Sequence, residues 1–372
     1  MIALRMRFST VILLLLLLPL SVFSRKVEGV TMSDSAHNMR SESKLRYPKL
    51  NTLALEARVG WEQERNDGTL NKSNTGFKGQ YFNLKVDAEI VENLKIAYRQ
   101  RLNKPTDRTF WDGTDYLLLN YKANEHWSVS TGKQIVQIGG TEYDYAPINL
   151  YYCSEFWNQI ACYQMGVSTC YTPNQKDYLT LQLCNSPFRH WAGNNSYAIN
   201  LYWITHRSRD RFFWEPRWSV NAMQLGGGRW MNYLSLGNMM GIGGKVLLAV
   251  DYINRASSHQ SFLSDFSLVG KLDYSPKPQV NVFLKYAYDQ NKSGTDADKL
   301  VTDGTKIHMV SAGVEVNPIK KYRNALRLFA VASYNWGTNT NSEGVKQDRQ
   351  LMMQAGVYIN LDVLEGLKHI KL

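Results

Sequence analysis

The chain has 372 residues, with 43 basic against 32 acidic side chains and a formal net charge of +11. Beyond its first residues, no segment approaches the run of 18 or more apolar residues that a membrane-spanning helix needs, so a helical membrane bundle is excluded. The basic balance alone would admit nucleic acid as a partner, but the charge is dispersed rather than gathered in one stretch.

The chain opens with Arg5 and Arg7, followed by an apolar run from Val11 to Phe23 that holds six consecutive leucines, Leu13 to Leu18. Val22-Phe23-Ser24 closes the run on a small residue just before Arg25. That pattern predicts a secretory signal peptide over residues 1–24, cut after Ser24; an uncleaved anchor is the alternative. Export argues further against nucleic acid. Residues 25–48 are polar and charged and read as a flexible N-terminal segment, which leaves 49–372 for the folded part.

From there the dominant signal is alternation. Leu53, Leu55, Ala57, Val59 and Trp61 alternate with Ala54, Glu56, Arg58, Gly60 and Glu62. Phe82, Leu84, Val86, Ala88 and Ile90 oppose Tyr81, Asn83, Lys85, Asp87 and Glu89, and the pattern resumes through Leu94, Ile96 and Tyr98. A period of two marks strands whose faces meet different surroundings. Reading on in this way predicts about sixteen strands, near 51–64, 78–90, 94–104, 114–123, 127–137, 161–171, 177–185, 196–206, 214–225, 229–238, 243–254, 262–274, 279–290, 304–317, 323–337 and 348–362. Most are close to the ~9–11 residues that cross a bilayer obliquely. The ninth and tenth are ambiguous, because "VNAMQLGGGRWMNYLSL" allows either face outward.

The connections alternate in length. Short turns are expected at Val91–Asn93, Ala123–His126, Thr172–Lys176, Gly226–Gly228, Ser275–Pro278 and Pro318–Tyr322. Longer segments lie between them at Asn103–Gly113, Ile138–Ile160, Ser186–Asn195 and Asn291–Gly304. Turns on one rim and loops on the other are the habit of outer-membrane barrels. In hydrocarbon every backbone polar group must be paired within the protein, which for strands means closure. The fold class expected is therefore all-β, a closed antiparallel transmembrane barrel of about sixteen strands in the outer membrane of a Gram-negative cell. The alternatives are a soluble β-sandwich or a β-solenoid, and no fixed repeat period supports the latter.

Cys153, Cys162, Cys170 and Cys184 permit disulfides after export; the strand register favours Cys162–Cys184, and four reduced thiols are the other reading. Their spacing makes no zinc site, and no cofactor is expected. There is no HExxH, Walker A or GxSxG motif, so no catalytic residue is assigned; a barrel hydrolase would draw on His206 or His308. A surface protein binding a glycan or a partner through its long loops is a further alternative.

The segment "GKQIVQIGGTEYDYAPINLYYCSEFWNQIACYQMGV", Gly132 to Val167, resembles the corresponding stretch of the phosphate-selective porin O and P family, in the form found in Bacteroidetes. The resemblance is carried by Gly132-Lys133-Gln134, Gly139-Gly140, Glu142 and Tyr163-Gln164-Met165-Gly166-Val167. It implies a sixteen-stranded porin, commonly a homotrimer, with the third long loop folded into the pore. The constriction loop would then lie within Ile138–Ile160 and present Glu142, Tyr143, Asp144, Tyr145, Glu155 and Trp157. Arginine ladders are the mark of the best-known members. Here inward arginines are few: Arg58, Arg99, Arg101, Arg217 and Arg327.

On that reading the polar comb lines water and its charges set selectivity. Alternation groups Lys85, Lys95, Arg99, Arg101 and Lys133 into one basic wall on strands two to five, with Arg58 beside it. The expected function is a passive channel for small hydrophilic solutes, anion-preferring and with phosphate among the candidates, surrounded by outer-membrane lipid. The loop's aromatic residues would either guide sugars or pin the loop to the wall, and pinning is the favoured role because a loop inside a pore must bury something to stay there.

Overall fold

The computed structural model describes residues 48–104, 110–193, 195–257, 263–292, 301–319, 325–338 and 346–364. The expected signal peptide, and the N-terminal segment up to Tyr47, lie outside the described residues.

Sixteen long strands follow in chain order: β1 (Lys49–Asn66), β2 (Gly76–Val91), β3 (Leu94–Arg101), β4 (Thr114–Lys122), β5 (Trp127–Ile135), β6 (Tyr163–Tyr171), β7 (Asp177–Asn185), β8 (Tyr197–Thr205), β9 (Phe212–Gly226), β10 (Arg229–Ile242), β11 (Val246–Ser257), β12 (Asp265–Lys277), β13 (Val280–Asn291), β14 (Lys306–Val316), β15 (Leu326–Thr338) and β16 (Lys346–Asp362). Each pairs antiparallel with the next, and β16 returns to β1 with Ala57 opposite Ile359 and Val59 opposite Val357. The sheet is closed. Among the described residues no helix is long and apolar enough to cross a membrane.

The two faces are inverted relative to a water-soluble protein. On β7 and β8, Leu181, Leu183, Ile199 and Leu201 point outward and are 45–51% exposed, while their inward neighbours Gln182 and Asn200 are 1% and 0% exposed. Apolar side chains outside and paired polar ones inside are what hydrocarbon around a closed sheet requires. At the long-loop rim the outward face carries an aromatic girdle: Tyr252 meets Phe266 at 5.5 Å, Phe266 meets Tyr288 at 5.7 Å, and His308 lies parallel to Trp336 at 5.2 Å. Such rings suit the boundary between acyl chains and head groups.

The expected strands fall close to the observed ones, with one correction at the rims. Gly226–Gly228 does not join the short turns. Its three residues have φ of +88°, +59° and +75°, and a Cβ on Gly226 would lie 2.9 Å from Ala192, in the long loop after β7. The turn on the opposite rim is instead Ile242–Lys245, where Gly243 and Gly244 have φ of +62° and +68°, a conformation that suits glycine and fits the twist of a tight hairpin. The expected eleventh strand therefore starts three residues late, at Val246.

The ambiguity of β9 and β10 also has a physical cause. Their inward positions Met223, Leu225, Met231 and Tyr233 are buried, in a dry cluster with Ile138, Tyr143, Phe156 and Phe188. The lumen at these strands is filled rather than wet, so both faces are apolar and alternation fades.

Candidate pore site

The filling is the segment Val136–Cys162, which leaves the wall after β5, crosses the lumen and returns at β6. It begins on the far wall. Gly139 donates to Ser219 Oγ at 2.8 Å, Gly140 to the Arg217 carbonyl at 3.2 Å, and Ser235 Oγ to the Gly139 carbonyl at 2.7 Å. The contact is so close that a Cβ on Gly237 of β10 would lie 2.6 Å from Gly140 Cα. Only glycine on the strand admits the loop backbone there.

Wall carboxylates then cap loop amides. Asp251 of β11 accepts from Thr141 N at 2.7 Å and Glu142 N at 2.8 Å. Asp289 of β13 accepts from Glu155 N at 2.8 Å and Phe156 N at 3.3 Å. Hydrogen bonds to a charged group contribute roughly 1.5–3 kcal/mol each, so these two aspartates hold the loop firmly. Glu142 turns into the protein. It pairs with Lys285 Nζ, and it accepts from Ser154 Oγ at 2.5 Å and Ser154 N at 3.2 Å. Lys285 Nζ also donates to the Tyr152 carbonyl at 2.5 Å.

Further along, Asp144 binds Arg217 Nη1 at 2.9 Å and accepts from Tyr202 OH at 2.8 Å. Burial pushes the Asp144 carboxyl up to about 6, against the pull of the Arg217 guanidinium and the Tyr202 hydroxyl. Tyr151 stacks on Phe283 at 5.8 Å and donates to Glu315 at 2.6 Å. Arg58 of β1 donates to the carbonyls of Ile148, at 3.0 Å, and Leu150, with its guanidinium 4.7 Å from the Tyr81 ring and 5.3 Å from the Tyr151 ring. The loop thus reaches from β9 to β1.

Among the described residues, a cavity lies on either side of the loop. One of about 610 Å3 lies toward the long-loop rim, bordered by Tyr81, Arg101, Lys133 and Tyr163 of the wall and by Pro147 and Trp157 of the loop. The other, of about 720 Å3, lies toward the short-turn rim, bordered by Glu56, Lys245, Lys271 and Arg327 of the wall and by Asn149 and Leu150 of the loop. The loop stretch Pro147–Leu150, latched by Arg58, stands between them.

The expected basic wall is divided into separate settings. Arg99 and Arg101 share Asp115, at 2.8 and 2.9 Å, and Arg99 also donates to Tyr163 OH at 2.5 Å. Lys85 lies 3.8 Å from Asp87. Lys95 stands apart, in a separate recess near the short-turn rim with Glu89, Asn120 and His126. Lys133 pairs in register with outward Leu117 and Met165, so its strand position has outward parity. Its amine donates to the Trp111 carbonyl at 2.6 Å beside the upper cavity. In the loop, Tyr143 joins the dry cluster, Tyr145 borders the lower cavity and Trp157 the upper, and Glu155 accepts from Gln159 at 3.0 Å.

Asp251, Lys285 and Asp289 act as loop anchors through partners more than 100 residues away, which no local pattern reveals. Asp115 and Arg255 went unnoticed. Asp115 sits at a register shift opposite Arg99–Gln100, where alternation fails. Arg255, 1% exposed, donates to Ser267 Oγ at 2.6 Å inside the barrel. All four cysteines are free, so the favoured Cys162–Cys184 bridge is not formed. His206 binds Glu215 at 3.1 Å near the short-turn rim, and His308 accepts from or donates to Tyr286 OH at 2.9 Å within the outward girdle.

Residues 53–204 match the phosphate-selective porin O and P family. No curated protein matches the sequence. The fold resembles an anion-selective porin from Comamonas acidovorans, with 12% identity, a TM-score of 0.59, and 83% of this chain and 99% of that one covered. It also resembles the outer membrane channel DcaP of Acinetobacter baumannii, with 12% identity, a TM-score of 0.56, and 84% and 97% covered. A third likeness is OmpT of Vibrio cholerae in a trimer form, at 12% identity, a TM-score of 0.56, and 84% and 99% covered.

Proposed function

We propose that this chain, an outer-membrane porin whose residues 53–204 match the phosphate-selective porin O and P family, is an anion-preferring diffusion channel with its water path displaced to one side. The observation that carries the reading is the division of the lumen. Apolar side chains fill its long-loop half at β7–β11, so solutes entering there must pass along β2–β6, beside Arg99 and Arg101, before reaching Arg58 and the cavity bordered by Lys245, Lys271 and Arg327. Arg99 and Arg101 have one carboxylate, Asp115, between them. Low-dielectric walls strengthen the field of what remains, and a mixed wall holds solutes weakly enough to release them.

The test is the zero-current potential of single channels in a potassium chloride gradient. It should show preference for chloride, and Lys85→Gln, Lys95→Gln and Arg101→Gln together should move it toward the potassium potential. An unchanged value in the triple variant would confine these residues to scaffolding.

Homotrimeric assembly belongs to the same proposal, supported by the trimer form of the similar OmpT fold. Non-enzymatic action does too. His206 has Glu215 and Phe213 as neighbours, and His308 has Tyr286, Tyr288 and Trp336 on the outward face. Neither arrangement presents a nucleophile to the lumen.

A further inference from the structure

The cavity toward the long-loop rim has two chemically different sides. Among the described residues, its wall and rim supply Arg101, Lys104, Lys133 and Arg189 against the carboxylates of Asp112 and Asp115. Asp115 is already engaged by Arg99 and Arg101, at 2.8 and 2.9 Å, so positive charge is in excess. Arg101 is held as a shelf, its guanidinium 5.4 Å from the Tyr81 ring. The opposite side is loop, and there the border is mainly apolar, Pro147, Trp157, Ile160, Ala161 and Cys162, with Asn158 as its one amide side chain.

We propose that this cavity is a binding site for a small organic anion whose carboxylate is carried on a flat apolar ring, in preference to inorganic phosphate. The inference rests on the porin reading above and narrows its solute. Phosphate presents oxygen in every direction. Seated between the two sides, it would turn some of those oxygens onto five apolar side chains, and each polar group left without a partner costs about 1–3 kcal/mol. A ring carboxylate has no such conflict. Its two oxygens match the paired N–H groups of Arg101, and its ring lies against Trp157 and Pro147, where water is released. About 610 Å3 accommodates one such molecule together with water. Flux through a pore demands that the hold be loose, so binding should saturate without stopping conduction for long.

The experiment uses folded protein, checked by heat-modifiable mobility, with benzoate and inorganic phosphate as probes. Calorimetry in detergent reads the site directly, and chloride current in planar bilayers reads its effect on flow. Benzoate should bind saturably and reduce chloride current along the same curve, with phosphate at least several-fold weaker. Trp157→Ala should weaken benzoate several-fold while leaving phosphate unchanged. Because Trp157 also packs in the loop, Ala161→Asp serves as the second variant: a carboxylate on the apolar side should abolish benzoate binding.

Equal affinities for the two probes, or benzoate binding untouched in both variants, would overturn the proposal. An anion-preferring pore that ignores benzoate defeats this site and spares the channel reading. Benzoate binding by a protein that never conducts does the reverse.

Discussion

Asp251 accepts the amides of both Thr141 and Glu142, at 2.7 and 2.8 Å, from a strand more than 100 residues further along the chain. The wall, not the loop, therefore supplies the charge that fixes the loop's backbone. Removing it should loosen the partition without opening the barrel. Asp251→Ala leaves two amides uncapped, a loss of about 3–6 kcal/mol in loop anchoring at ~1.5–3 kcal/mol per charged bond. Single-channel recordings should show a larger and noisier conductance, and heat-modifiable mobility should be retained.

Gly237 offers a steric counterpart. A valine there would place its Cβ 2.6 Å from Gly140 Cα, and neither backbone can yield cheaply. Gly237→Val should lift the loop from β10 and expose the bonds after Tyr143 and Tyr145 to chymotrypsin in the folded protein. Resistance equal to that of the natural chain would show that the loop tolerates the intrusion.

The raised carboxyl of Asp144 predicts a pH effect with a definite sign. Burial lifts it to about 6, above its ordinary value of ~3.9, so the folded chain holds this proton more tightly than the unfolded one. The penalty for its charge is present above that range and is relieved as pH falls through it. Below about 6 the group is neutral, Arg217 keeps Glu215 as its charged partner among the described residues, and the lumen gains positive charge. Anion preference should rise between pH 7.5 and 5, and that step should be absent in Asp144→Asn. Reversal potentials at the two pH values decide it.

The lipid-facing assignment is testable through Leu201, 45% exposed on β8 beside the fully buried Asn200. Leu201→Arg should destabilise the barrel by about 2–4 kcal/mol if the position lies near the bilayer midplane. Unfolding by urea from lipid vesicles gives the measurement. A change within ~0.5 kcal/mol, the usual range for a surface substitution in water, would mean that Leu201 faces solvent.

The barrel was readable because lipid and water impose opposite demands on neighbouring residues, as at Phe82 and Asn83, and that demand is written at period two. It failed where the environment was not binary. At Met223 and Tyr233 the inside is as dry as the outside. At Asp115 a register shift breaks the count. At Lys133 parity points outward although the amine reaches the rim of a cavity. The loop was recognisable from Gly139-Gly140 and Glu142, but its partners were not, since nothing local in Asp251 or Asp289 marks a carboxylate that caps a distant amide. The glycines of Gly226–Gly228 signalled a turn correctly; which rim it occupies depends on the parity of every strand before it.

The crossing segment also imposes an order of events on assembly. Every wall group that grips it on the far side, from Tyr202 through Asp251 and Asp289 to Glu315 and Arg327, is synthesised after it, whereas Arg58 is made before. The segment's supports lie on both sides of the seam, so they are in place together only once β16 joins β1. Narrowing of the channel and sealing of the cylinder become one step, so a barrel that has not closed offers an unobstructed hole.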